Sequence, residues 1–235
     1  MEWLAPERYA AELEAEAGRL GAAAARLPIA TIVPTCPEWT VHDLVTHVGS
    51  GHHYAADVLA AGGPVEYERV GAPSDPDIWT PWLLDGAQRL NAAVADRGFG
   101  SEVWSWHPRH QTAGFWLRRM VHDQVVHRFD ADPTGDVAPD LAADGVSDLL
   151  LSFETFEALR GHGETLQFSA TDIPRSWHVT LTSSGITWDD GDHGADVTLT
   201  APVRELLLIL NRRLPAPRAD GDAALWERWQ EGSRF

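Results

Sequence analysis

The sequence predicts a mainly α fold, with a four-helix bundle over residues 1–135 and a small α+β domain over residues 136–235. The first observation is a series of long segments before residue 135 in which apolar residues recur at helical spacing. The second is that the expected strands all lie after residue 160. The third is the order of the later segments, a helix, then strands, then helices, which is typical of an α+β domain.

The first two helices have clear end signals. Residues 6–27 carry one apolar stripe and are followed by Pro28, which cannot continue a helix. Thr40 is a favourable N-cap, and Asp43 at the third helical position resembles a capping box. We therefore expect a second helix over residues 41–61, which the Gly-Gly-Pro step that follows it ends.

The next two helices complete the predicted bundle. Residues 76–96 are expected to form the third helix after a loop, and residues 98–110 form an irregular aromatic segment. Thr112 is placed to cap a fourth helix that runs to about Ala131, where the Asp-Pro step that follows ends it. Four helices joined by such loops predict a four-helix bundle.

The C-terminal part has mixed elements. Residues 139–160 are predicted to form a helix. The predicted strands are residues 165–170, 177–182, 186–189 and 196–200, and the final helices are residues 202–210 and 222–231. The Ser183-Ser184-Gly185 step between two of these strands is typical of a hairpin turn.

Charge and composition exclude several classes of protein. The formal net charge of −17 argues against a nucleic-acid partner and an anionic membrane surface. The chain contains no lysine, which excludes a Schiff-base lysine, a P-loop lysine and a Ser-Lys dyad. Cys36 is the single cysteine, so no intrachain disulfide or cysteine-based zinc site can form, and we interpret it as an ordinary buried or loop cysteine.

The chain also lacks familiar targeting and catalytic motifs. It opens with no basic segment followed by an apolar run, and no apolar stretch approaches the roughly 20 residues of a membrane span. We therefore expect a cytoplasmic protein. The motifs of nucleophile elbows, phosphate-binding loops, dinucleotide-binding turns and H-E-x-x-H metalloproteases are absent.

Histidine spacing suggests one possible metal site. Asp123 and His127 are four residues apart on the fourth predicted helix, about 40° around its axis, so both project from one face. His122 and His127 diverge by about 140° and cannot face one ion. His47 lies in the middle of the second predicted helix. If the two helices face each other, one carboxylate and two imidazoles form a three-ligand site with open positions, as in catalytic zinc centres.

Other features of the sequence bear on this site. Asp43, one turn before His47, is a candidate to orient that imidazole, and Gly51, one turn after it, would leave room for a ligand. His52 and His53 are expected to be solvated or to line the bundle mouth. The alternative interpretation is an ordinary surface pair on the fourth helix and a hydrogen-bonded core histidine on the second, and spacing alone leaves both interpretations open.

Two segments carry a resemblance to a known family. The first is Val33-Pro34-Thr35-Cys36-Pro37-Glu38-Trp39-Thr40-Val41, followed by Asp43-Leu44-Val45 and His47; the second is Arg119-Met120-Val121-His122-Asp123, followed by Val126-His127-Arg128-Phe129-Asp130-Ala131. Together they resemble the mycothiol-dependent maleylpyruvate isomerases of actinobacteria, whose bundle is DinB-like. Segments of the C-terminal half, such as Ala195–Ala201 and Asn211-Arg212-Arg213, are also similar, so the resemblance covers nearly the whole chain.

The resemblance implies a bundle metal, usually zinc, held here by His47, Asp123 and His127. The family usually has Glu where this chain has Asp123. An aspartate is one methylene shorter, so its oxygens start about 1.5 Å further from the ion than those of a glutamate, whereas metal–oxygen distances tolerate only a few tenths of an ångström. The resemblance also implies that a C-terminal arginine, Arg212 or Arg213, recognises substrate or thiol from a cleft between the domains.

The implied thiol is mycothiol, a small thiol that carries sugars. In the isomerase, the metal would lower the pKa of the thiol, and the thiolate would add to the conjugated double bond of maleylpyruvate, allow bond rotation and leave. The leading hypothesis is therefore a metal- and mycothiol-dependent isomerase or S-transferase acting on a small electrophile. The alternatives are a thiol-independent DinB-like hydrolase or cyclase, and a metal-free bundle that acts as a ligand-binding accessory protein.

Overall fold

The computed structural model describes residues 3–234, so Met1, Glu2 and Phe235, which the predicted domain limits include, lie outside the described residues. The chain divides into two compact units, Leu4–Gly135 and a second that contains residues 136–234. The first is a helical bundle and the second is α+β, which confirms the predicted fold class. Within the described part of the chain, no helix is long and apolar enough to cross a membrane.

The bundle consists of α1 (Pro6–Ala24), α2 (Val41–Ala61), α3 (Trp79–Arg97) and α4 (Ala113–Ala131). Helices α1 and α2 each pack against both α3 and α4, so the four axes surround one apolar core. The core consists of fully buried side chains at helical spacing, among them Leu13, Leu20, Leu44, Leu83, Leu90, Val121 and Val125. The bundle therefore holds α2 beside α4, as the predicted site requires.

A short hairpin precedes α2 and was not expected. Strands β1 (Ile32–Val33) and β2 (Cys36–Thr40) pair in antiparallel fashion, although two prolines lie in and beside them. Prolines are tolerated in a two-stranded ribbon because both strands are edge strands, and the backbone groups on their outer edges need no strand partner. The last residue of β2, Thr40, is also the N-cap of α2.

The second unit contains a mixed sheet of five strands within residues 136–234, in the order β5-β4-β3-β6-β7. The strands are β3 (Thr165–Ala170), β4 (Ser176–Thr182), β5 (Gly185–Asp190), β6 (Val197–Ala201) and β7 (Asp220–Gly221). β3 pairs with β4 in antiparallel fashion and with β6 in parallel fashion. The helices are α5 (Pro139–Phe153), α6 (Val203–Leu210) and α7 (Ala223–Gly232).

Several predicted boundaries require correction. Helix α1 ends at Ala24, not at residue 27, and α5 ends at Phe153, not at residue 160. A short 3-10 helix, Pro76–Ile78, precedes α3. β7 was also not expected, because two residues give no period from which a strand can be recognised. The predicted hairpin turn is present, with Thr182 opposite Gly185 in the register of β4 and β5.

Candidate metal centre

The N-terminus of α2 is fixed by a reciprocal cap. The backbone N–H of Asp43 donates to Thr40 Oγ1 at 3.2 Å, and the backbone N–H of Thr40 donates to Asp43 Oδ2 at 3.1 Å. The same carboxylate accepts from Arg69 at 2.5 Å. Asp43 is therefore engaged by Thr40 and Arg69, and the expectation that it orients His47 is wrong. Its role is to start the helix that carries His47.

Helix α4 carries the other two predicted ligands. Thr112 Oγ1 accepts from the backbone N–H of Phe115 and starts this helix, as predicted. Asp123 and His127, four residues apart, both face α2. His127 Nε2 lies 3.9 Å from Asp123 Oδ1. The intervening turn of helix thus places one carboxylate and one imidazole side by side.

The three predicted residues meet. His47 Nε2 lies 3.5 Å from Asp123 Oδ2, and the rings of His47 and His127 lie 4.7 Å apart at 72°. One possible ligand atom from each of the three residues lies within 4.8 Å of the other two. Asp123 is turned toward both histidines, despite being shorter than the glutamate that the resemblance implies.

These distances suit a small divalent cation. Tetrahedral bonds of 2.0–2.1 Å place two ligand atoms about 3.3–3.4 Å apart. The separation of His47 from Asp123 is near that value, and the longer separations, which are at most 4.8 Å, would have to shorten by up to about 1.5 Å. Two imidazoles and one carboxylate are ligand types that zinc prefers, so the residues present fit the implied metal.

The charge at the centre is also suitable. Burial alone would raise the pKa of Asp123, but the neighbouring imidazoles of His127 and His47, together with Arg119, hold this pKa well below its usual range. Arg119 Nη2 lies 3.9 Å from Asp123 Oδ1. The carboxylate is therefore ionised at neutral pH, which is the form that binds a cation.

The centre is open on one side. The side chain of His47 is 38% exposed and that of Asp123 is 28% exposed, whereas that of His127 is 9% exposed. Trp39, on β2, lies against both imidazoles, with ring centroids 4.6 Å from His47 and 5.5 Å from His127. No sequence pattern predicted this contact. A small molecule can approach the centre from the side of His47.

Asp130 is a second residue that the sequence analysis missed. His127 Nδ1 lies 2.8 Å from Asp130 Oδ2, and Thr35 Oγ1 donates to Asp130 Oδ1 at 2.5 Å. Its neighbour Arg128 serves a polar contact of the bundle, since it donates to the buried Glu16, whereas Asp130 contacts a candidate ligand. The signal available in the sequence was its position one turn after His127.

The expectations for His52 and Gly51 are wrong. His52 is buried and its Nε2 lies 2.6 Å from Gln124 Oε1, so it is not solvated. His53 lies at the surface, as expected, where its Nδ1 accepts from Arg89. Gly51 leaves no room for a ligand, because a Cβ there would lie 3.3 Å from Met120 Sδ. The missing side chain allows α2 and α4 to pack closely.

The C-terminal arginines lie after α6. Arg212 has a left-handed backbone, φ 63°, and its guanidinium donates to the backbone carbonyl of Gln230 and to Ser233 Oγ. It therefore ties the end of α6 to the end of α7. Arg213 donates to the carbonyl of Asn211 at 2.8 Å.

A small cavity lies beside Arg212, near the ends of α6 and α7. Its volume is about 90 Å³, and its lining includes Ile209, Leu210, Trp226, Trp229 and Arg212. Pockets that bind drug-sized ligands are typically about 300–1,000 Å³. This cavity is well below that range.

Comparisons with known proteins agree with the fold. Residues 10–132 match a family model described as the mycothiol maleylpyruvate isomerase N-terminal domain, and residues 150–222 match the SCP-2 sterol transfer family. The crystal structure of the mycothiol-dependent maleylpyruvate isomerase is similar at 15% identity and a TM-score of 0.56, covering 87% of this chain and 88% of that chain. A histidine-to-alanine mutant of that isomerase has the same TM-score and coverage at 14% identity. No curated protein matches the chain.

Proposed function

Because the chain belongs to the mycothiol maleylpyruvate isomerase family, we propose that it is a metal-dependent enzyme that uses mycothiol as a thiol cosubstrate. Its reaction is the isomerisation of a small electrophile of the maleylpyruvate type, or transfer of the thiol to such a molecule. The observation that carries this proposal is the convergence of His47, Asp123 and His127 on one point.

The proposed ligands are the Nε2 atoms of both histidines and one oxygen of Asp123. When bound, a divalent metal such as zinc would act as a Lewis acid that lowers the pKa of a thiol. His47 and Asp123 leave the centre accessible, so a ligand position stays open to the thiol. Trp39 covers the two imidazoles and limits the approach of water from its side.

Arginine is the residue type expected to recognise a carboxylate substrate, because its guanidinium can form two parallel hydrogen bonds. The candidates for this role are Arg212, which also donates to Gln230 and Ser233, and Arg213, which donates to the carbonyl of Asn211.

Elemental analysis tests the metal-binding part of the proposal. Protein purified without chelator should contain about one zinc per chain, and His127→Ala should lose it. A near-zero metal content in the wild type, unchanged when zinc is supplied, would refute the proposed centre and favour the metal-free accessory protein.

The second test concerns the thiol. Mycothiol should raise the melting temperature of the zinc-loaded protein, and maleylpyruvate should be converted only when mycothiol is present. A zinc-containing protein that mycothiol does not stabilise would favour the thiol-independent hydrolase or cyclase. His127→Ala serves as the matched control, since it lacks the proposed metal.

A further inference from the structure

The contacts of Asp130 support a role in orienting His127 in the candidate metal centre. Its side chain is fully buried at the end of α4, where it contacts His127, one turn earlier on the same helix. It also contacts Thr35, which is 95 residues away in the sequence and lies in the turn between β1 and β2. The thiol of Cys36 lies 3.9 Å from the other carboxylate oxygen.

The hydrogen bonds of Asp130 fix the protonation pattern of His127. A carboxylate only accepts hydrogen bonds, so His127 must carry its proton on Nδ1 to donate to Asp130 Oδ2. In the neutral imidazole, Nε2 is then unprotonated and offers a lone pair. Nε2 is the atom that faces Asp123 in the candidate centre.

Thr35 holds the carboxylate from the side opposite His127. Its hydroxyl donates to Oδ1, whereas His127 contacts Oδ2, the oxygen that the thiol of Cys36 also approaches. The same hairpin carries Trp39, whose ring lies against both imidazoles. The hairpin thus contacts the centre at two points, one through Asp130 and one directly.

We propose that Asp130, held by Thr35, is a positioning residue that keeps the His127 imidazole in the Nδ1-protonated form with Nε2 ready to bind a divalent cation. This inference rests on the proposed function, since it assumes a cation at the centre. Removing such a partner of a metal-binding histidine typically weakens metal affinity about 10- to 100-fold.

Zinc affinity tests the proposal by competition with a chromophoric chelator, using metal-free protein. Asp130→Leu, which removes both acceptor oxygens at similar volume, should raise the Kd for zinc by about 10- to 100-fold. Asp130→Asn, which keeps one neutral acceptor, should fall between Asp130→Leu and the wild type. Asp57→Asn, in a surface pair with Arg89, is the control and should leave the Kd unchanged.

Thr35 gives a second series in case the variants of Asp130 fail to fold. Thr35→Val removes the hydroxyl at nearly constant shape and should weaken zinc binding, although less than Asp130→Leu. Thr35→Ser keeps the hydroxyl and should restore the affinity. Wild-type affinity in folded Thr35→Val, or in folded Asp130→Leu, would overturn the proposal.

Nitrogen NMR of the metal-free protein tests the tautomer of His127 independently of metal binding. The ¹⁵N shifts of His127 should show a proton on Nδ1 in the wild type, and the population should move toward Nε2 protonation in Asp130→Leu. An Nε2-protonated His127 in the wild type would overturn the inference even if zinc binds. Conversely, a wild type that binds no zinc would refute the proposed function, while the NMR result would still decide the role of Asp130 in fixing the tautomer.

Discussion

His52 Nε2 and Gln124 Oε1 lie 2.6 Å apart in the interior of the bundle. Both residues are buried, and the pair joins α2 to α4 close to the candidate centre. Gln124 also donates to the carbonyl of Leu13 on α1, so a polar connection runs across three helices. A buried polar network of this kind stabilises one helix arrangement only while its groups stay paired and uncharged.

Acid should therefore weaken the fold through His52. Burial is the main cause that lowers the pKa of His52 from 6.5 to about 4. Between these values the unfolded chain binds a proton that the folded chain does not, so the free energy of unfolding falls as the pH falls from 6.5 toward 4. At 1.36 kcal/mol per pKa unit, the contribution reaches about 3 kcal/mol.

Urea unfolding at about pH 7.5 and pH 4.5 measures this effect. Between the two pH values, the wild type should lose roughly 2–3 kcal/mol more stability than His52→Gln, whose side chain does not titrate. Equal losses in the two proteins would show that His52 does not carry the acid sensitivity.

Asp123→Asn tests the charge at the centre. The amide keeps the volume of the side chain but removes the negative charge between His47 and His127. We expect the Kd for zinc to rise by about 100-fold or more. Losing a metal ligand should weaken zinc binding more than losing a residue that only orients a ligand, which typically costs about 10- to 100-fold. Titration calorimetry of the metal-free protein measures it, with Asp57→Asn as the control, and an unchanged Kd would remove Asp123 from the ligand set.

Two glycine substitutions should act in opposite directions. In Gly49→Ala, the new Cβ would lie 2.0 Å from a ring carbon of Trp82, so the indole must move, and we expect a loss of about 1–3 kcal/mol. In Gly18→Ala, nothing lies within 4 Å of the new Cβ, and α1 should gain about 0.5–1 kcal/mol from better helix propensity. Chemical denaturation checks both values, and a stabilised Gly49→Ala would contradict the close packing of α2 against Trp82.

Substitution of the two C-terminal arginines tests each of them for recognition of a carboxylate substrate. Loss of the recognising arginine, in Arg212→Gln or in Arg213→Gln, should raise the KM by about 10-fold or more, the loss of one charged hydrogen bond. Arg212→Gln should also lower the melting temperature, since it loses the bonds to Gln230 and Ser233. Steady-state kinetics and thermal unfolding of both variants measure these effects, and an unchanged KM in both variants would exclude these arginines from substrate recognition.

Elements with strong local end signals were predicted well from the sequence. Helix α2 begins after its Thr40 cap and ends at Ala61, before the left-handed Gly62, as expected. Helix α5 was predicted too long because residues 154–160 contain no glycine or proline to mark its end. At that point the ring of Phe153 packs against a residue distant in sequence, Trp229 of α7, with ring centroids 5.7 Å apart.

The candidate centre was predictable where one helix sets the geometry. The spacing of Asp123 and His127 predicted their common face, and the position of His47 in the middle of the second helix, together with the resemblance, predicted the third ligand. The partners of these residues were not predictable in the same way, because Thr35 and Trp39 reach the centre through a hairpin with no periodic signal. The burial of His52 was missed because its partner, Gln124, lies on another helix.

The parallel pairing of β3 with β6 has a consequence for the kinetics of folding. β3 and β4 join through a short connection, but β3 meets β6 only after the intervening hairpin has been placed, with Leu166 opposite Val197. Contacts distant in sequence form slowly because a long loop must close before they contribute any stability. The sheet should thus be completed later than its β4–β5 hairpin, and the segment from β6 to the end of α7 should be the last part of that unit to become protected from hydrogen exchange during refolding.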